Sequence, residues 1–150
     1  TVFDWTVQER KDNPFSAFMS NQSDHLYNTI KVSVVAVDLD RPVRLVTLRR
    51  GKRPKQSDRP YHVPTGHAAL DAAFVCLGFD KLGAAALDDE RFASAMLDIE
   101  GLRQLRFGDQ RLVFTLDRRK PEQLSAAIDA ATGLAKLLPT ALYQPPASPG

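Results

Sequence analysis

The sequence predicts an α+β domain: a mainly antiparallel sheet of about six strands with two or three helices packed on one face. Three observations carry that expectation. Several segments alternate apolar and polar residues with the two-residue period of a strand. Others repeat apolar residues every three or four positions, as a helix does. Most strand-like segments are joined by connections too short for a parallel crossover. The 150 residues are 43% hydrophobic and 25% charged, the balance of an ordinary globular chain with enough apolar surface for a core. No apolar run approaches the roughly 18 residues of a spanning helix. The single cysteine, Cys76, excludes an internal disulfide framework and a cysteine zinc site.

Phe3, Trp5 and Val7 alternate with Asp4 and Thr6, which reads as a half-buried strand. Lys11 to Asp24 is polar and turn-forming around Asn13-Pro14, with Phe15, Phe18 and Met19 available to cover part of the core. Leu26 to Leu39 is the most β-like stretch, and Val34 to Val37 is apolar on both faces, as suits a central strand. Arg41-Pro42 predicts a break, so that Val43 to Leu48 returns as an antiparallel partner. Residues 49–66 follow no period and read as a long basic loop. A strand is expected near residues 72–78, with Ala68 to Ala73 equally suited to a helix start. Asp88, Asp89 and Glu90 mark a helix N-terminus, followed by the buried stripe Phe92, Met96 and Ile99. Leu102 to Phe107 and Arg111 to Asp117 flank Gly108-Asp109, a turn pair that predicts a tight hairpin. The clearest helix spans residues 121–138, with Pro121 at its first position and the stripe Leu124, Ile128, Ala131, Ala135, Leu138. Gly133 within it suggests close packing onto the sheet.

These elements predict one domain over residues 1–139, followed by a proline-containing flexible tail over 140–150. The chain opens within strand-like sequence, which suggests an excised piece with a tether upstream.

Nothing in the sequence assembles a reaction centre. His62 and His67 are separated by Val63-Pro64-Thr65-Gly66, so Pro64 prevents a regular helix from aligning them. His25 stands beside Asp24 in a turn, where surface hydrogen bonding explains it. Cys76 lies among Phe74, Val75 and Leu77, the setting of a small buried hydrophobe rather than a nucleophile. There is no Gly-x-Ser-x-Gly elbow, Walker phosphate loop or dinucleotide fingerprint. The expectation is no enzyme, no catalytic residue, no metal and no cofactor.

Charge is the one unusual feature. Residues 41–60 carry eight basic side chains and one acidic, within a chain of net charge +2. Arg49, Arg50, Lys52, Arg53 and Lys55 are therefore the expected contacts for an anionic partner, either a membrane protein or an anionic lipid surface. Nucleic acid is less favoured, because Tyr61 alone interleaves an aromatic with the charges. A second expectation is a small-molecule or lipid carrier, with Trp5, Phe74 and Phe114 walling an apolar pocket between sheet and helix.

Three short stretches add a resemblance: the opening Val2-Phe3-Asp4-Trp5, the run Asp89-Glu90-Arg91-Phe92-Ala93 leading to Met96-Leu97, and the closing Leu134-Ala135-Lys136-Leu137-Leu138-Pro139 with its proline-containing tail. In layout the chain resembles the soluble domains of membrane-anchored actinobacterial proteins of unknown function, a plan to which the mycobacterial trehalose monomycolate transport factor A is also similar. That resemblance implies an interaction or scaffold domain of a cell-envelope protein, held at the cytoplasmic face of the inner membrane by an anchor outside these residues. It carries no family site onto any position.

Overall fold

The computed structural model describes residues 2–10 and 27–145, with side chains from Lys31 onward. The sequence expectations for Lys11 to Asp24 lie outside the described residues. The class is α+β. One antiparallel sheet is built from β1 (Val2–Arg10), β2 (Tyr27–Arg50), β3 (Phe74–Gly78) and β4 (Leu102–Asp117). Among the described residues four α-helices, more than the expected two or three, follow or interrupt the strands: α1 (Ala68–Ala73), α2 (Lys81–Ala85), α3 (Glu90–Leu97) and α4 (Pro121–Lys136). No helix among the described residues is long and apolar enough to cross a membrane.

The expected six strands become four because two expected hairpins do not form. Residues 27–50 run as one strand through Arg41-Pro42, and residues 102–117 as another through Gly108-Asp109. The two pair with each other over nearly their whole lengths, from Val32 opposite Asp117 to Arg49 opposite Gln104. Their irregularities face one another: the register shifts between Asp38 and Val43 on β2 and again before Val46, where Asp109 is the partner of Val43. A two-residue hairpin needs positive φ at both central residues in a type I′ turn and at the first in a type II′ turn. Pro42 has φ locked near −65° and cannot supply it. Opposite it, Asp109 alone takes a left-handed conformation, at φ 49°. The outcome is two shifts whose extra residues both lie on β2, which advances five residues from Asp38 to Val43 and three from Val43 to Val46 while β4 advances two each time, and a bend in a continuous ribbon.

The bend switches which alternate residues face inward. On β4, Leu105 and Phe107 are buried before it, and Leu112, Phe114 and Leu116 after it. On β2 the inward set passes from Val35 to Val43, then to Val46 and Leu48. These residues share one contiguous core with Leu70 of α1, Ala84 of α2, Phe92 and Met96 of α3, and Ala131 and Leu134 of α4. Each fully buried large side chain contributes about 1.5–3 kcal/mol of transfer free energy, so this layer between sheet and helices dominates the stability.

Local chemistry sets the helix starts. Asp80 accepts from the Leu82 N–H at 2.8 Å and Asp89 from the Phe92 N–H at 2.9 Å, each satisfying an otherwise unpaired donor. Asp89, not Asp88, is the cap of α3. Pro121 opens α4 as expected, but its buried stripe centres on Ala131 and Leu134 while Ile128 remains exposed. Gly133 faces open space and packs on nothing. The close approach belongs to Gly83 instead: a Cβ there would stand 2.7 Å from Val46 Cγ2, so glycine lets α2 settle onto β2. The ambiguity over residues 68–78 resolves into both readings, helix α1 running directly into β3.

The expected flexible tail is ordered over its first residues. β2 pairs with β1 only as far as Val35 and with β3 only from Val46, which leaves a notch at its bend. Tyr143 bridges Val43 there, and Gln144 donates its N–H to the Pro42 carbonyl at 3.0 Å and its Nε2 to the Val43 carbonyl at 3.1 Å. Leu142 is completely buried beside it. Backbone acceptors at a bulge need partners, and this segment supplies them.

Candidate functional site

The basic loop does not project as a free hairpin. It folds back beside β3, along the sheet face that carries no helices. The Gly51 N–H bonds to the Ala73 carbonyl at 3.0 Å, and His62 bridges Leu77. Between them Gln56–Tyr61 forms a 3₁₀ helix.

The five cations expected to act together fall into two groups. Arg49 pairs with Asp58 of the 3₁₀ helix at 2.6 Å, and both side chains are mostly buried. Arg50 donates Nε to the Leu102 carbonyl at 2.6 Å, with its guanidinium 4.9 Å from the centre of the Phe74 ring. Arg49 thus fastens the loop to the sheet, and Arg50 ties the end of β2 to β4 and β3. Lys52, Arg53 and Lys55 are exposed, and so is Arg59. Among the described residues none of these four side chains has an ionic partner. The nearby acids are already engaged. Asp58 is held by Arg49, and Asp80 by Arg44. The Leu82 N–H first, and then the Arg44 guanidinium, hold the Asp80 carboxyl below its ordinary pKa against a partial desolvation that raises it. The exposed surface of the loop is therefore cationic without local neutralisation.

Where the loop returns along β3, at Tyr61 and at the opposite end of the strand from Gly51, lies an apolar feature that sequence reading missed. Phe79 is 78% exposed, Leu82 64%, Tyr61 46% and Leu45 41%. These are the four most exposed large apolar side chains among the described residues. Tyr61 and Phe79 meet edge to face with centroids 5.2 Å apart. They form one wall of a hollow of about 250 Å³ over Leu45, Thr47, Leu77 and Gly78, closed by Gln104 and Arg106. A second hollow of about 500 Å³ continues from Leu45 and Arg106 past Gly108 to Val113, along the bend of the ribbon. A signal existed in the sequence: Phe79-Asp80-Lys81-Leu82 sets two large apolar residues around a charged turn.

The expected pocket residues lie elsewhere. Phe74 and Phe114 are buried in the main core and line neither hollow. The side chain of Trp5 is outside the described residues; its backbone pairs with Val32.

His62 and His67 are not brought together around an acid, and His25 lies outside the described residues. His67 caps α1, its Nδ1 accepting from the Leu70 N–H at 3.4 Å, while Nε2 meets Glu90 Oε2 at 2.8 Å. Hydrogen bonds from His67 and then Ser94 hold the Glu90 carboxyl below its ordinary pKa. His62 is exposed on the β3 edge. Among the described residues no three His, Cys, Asp or Glu side chains converge as metal ligands.

Cys76 is buried, and desolvation followed by the Asp71 charge pushes its thiol up to about 12. A raised pKa leaves it protonated, and reaction needs the thiolate. In mildly alkaline buffer the native chain is expected to leave a thiol reagent unreacted, with stoichiometric reaction only after urea unfolding. Rapid native labelling would contradict this packing.

No family model, curated protein or solved structure matches this chain.

Proposed function

We propose that this chain is a non-enzymatic interaction domain whose basic loop contacts an anionic partner, a membrane protein or anionic lipid. The membrane-tethered, cell-envelope setting comes from the layout resemblance. One observation carries the reading: Lys52, Arg53, Lys55 and Arg59 stand exposed without an ionic partner among the described residues, on a loop that Arg49 fastens to the sheet. A fastened loop presents its charges at a lower ordering cost than a free one. Each cation near an anionic surface gains about 1 kcal/mol, within a Debye length.

The test neutralises the exposed group. Lys52→Gln/Arg53→Gln/Lys55→Gln is expected to weaken binding to a polyanion or to anionic vesicles by on the order of a hundredfold at low ionic strength. Binding by the unmodified chain should fall as salt rises. Unchanged affinity in the triple variant would remove the loop from the function.

A further inference from the structure

We infer that the anionic partner is a bilayer surface, and that Phe79 and Leu82 enter its headgroup region while the basic arm meets lipid phosphates. The inference rests on the anionic-partner reading and deepens it. An exposed apolar residue alone is ordinary, but the distribution here is not scattered. The three most exposed large apolar side chains, Phe79, Leu82 and Tyr61, gather at the β3–α2 turn and the loop end that touches it. Lys81 stands between Phe79 and Leu82, and Arg59 lies two residues before Tyr61, both exposed. Asp80, the acid in that turn, is tied to the Leu82 N–H and to Arg44, and Asp58 is tied to Arg49.

The surface is thus apolar at its tip, with Lys81 and Arg59 near it in sequence, the arm of Lys52, Arg53 and Lys55 further along the same loop, and the carboxylates of Asp80 and Asp58 paired. A peripheral membrane contact needs that combination, because apolar area enters the interface while basic side chains remain at phosphate level. Tyr61 suits the boundary, with an apolar ring and a polar hydroxyl. An acidic protein would satisfy the cations but would also need a pocket for a side chain as exposed as Phe79. A bilayer accepts it without one.

The experiment uses the whole chain with phosphatidylcholine vesicles, with and without phosphatidylglycerol. Phe79→Ser/Leu82→Ser should lower partition onto the anionic vesicles by about tenfold or more at fixed ionic strength. Its urea unfolding curve should match that of the unmodified chain, because both side chains are exposed. A polarity-sensitive dye attached at Leu82→Cys should shift to the blue on anionic vesicles; the buried Cys76 leaves that label selective. If the double variant binds as tightly as the unmodified chain and the dye stays in water, insertion is wrong while the cationic reading stands. If no vesicle is bound but polyglutamate is, through Lys52, Arg53 and Lys55, the partner is an acidic protein and the bilayer is overturned. If neither probe is bound at low salt, both readings fall together.

Discussion

Phe107→Ala is expected to lower stability by about 3–5 kcal/mol, the range for truncating a large buried aromatic. Phe107 is fully buried, pairs with Val46 across the sheet, and lies 6.0 Å from the Phe92 ring of α3. It is also the last inward residue of β4 before Gly108-Asp109, which face the bulged part of β2, so its ring joins the bend to the helical layer. With ordinary domain stabilities of about 5–15 kcal/mol, a loss of this size is visible as a shift in urea midpoint by circular dichroism. Phe107→Leu, which keeps most of the volume, should cost less than about 1.5 kcal/mol. A loss below about 1 kcal/mol for the alanine variant would mean that the site collapses freely, and that the bend is not held from this side.

That residue also shows why the strand count was hard to read. The alternation over 102–107 and over 112–116 is clear in the sequence, but the two runs are out of phase by one residue. A phase slip is equally the signature of a turn and of a bulge, and Gly108-Asp109 favours the turn locally. What decides is the partner strand: residues 27–50 run on through Pro42, and 102–117 pair with them on both sides of Gly108-Asp109 instead of with each other. Each segment is ambiguous alone, and the pair is not. Helix ends were easier, because Asp89 and Pro121 act through neighbours three residues away or fewer. The docking of Leu142 to Gln144 was hidden for the opposite reason. Its cause is a notch in β2, about a hundred residues earlier in sequence, and a short proline-flanked segment has no pattern of its own to announce it.

The candidate surface was legible in its charges and hidden in its geometry. Counting basic residues over 41–60 finds the arm without revealing that Arg49 and Arg50 serve the fold and Lys52, Arg53 and Lys55 do not. Composition is blind to Asp58, the single acid of that segment, which removes one arginine from the surface by pairing with it. The apolar tip was missed because Phe79 and Leu82 follow an apolar strand and look like its continuation. The strand ends at Gly78, and past that point both side chains leave the core.

That division of labour among the cations is open to test. Arg49→Ala is expected to cost about 2–3 kcal/mol, between the small effect of an exposed ion pair and the 3–5 kcal/mol of a fully buried one. The guanidinium 2.6 Å from the Asp58 carboxylate is partly shielded from water, and its removal strands that carboxylate at the sheet surface. The triple Lys52, Arg53, Lys55 variant should stay within about 0.5 kcal/mol of the unmodified chain, as exposed side chains without partners usually do. Binding should rank the opposite way: the triple variant loses affinity, and Arg49→Ala, measured where it remains folded, keeps most of it. Asp58→Ala supplies the control. If the arginine matters through its pairing, the Arg49→Ala/Asp58→Ala double variant should be less destabilised than the two single losses added together, because removing both leaves no unpaired charge. An Arg49→Ala chain that unfolds at the unmodified midpoint yet binds as poorly as the triple variant would place Arg49 in the contact surface, and the ion pair with Asp58 would then not be what fastens the loop.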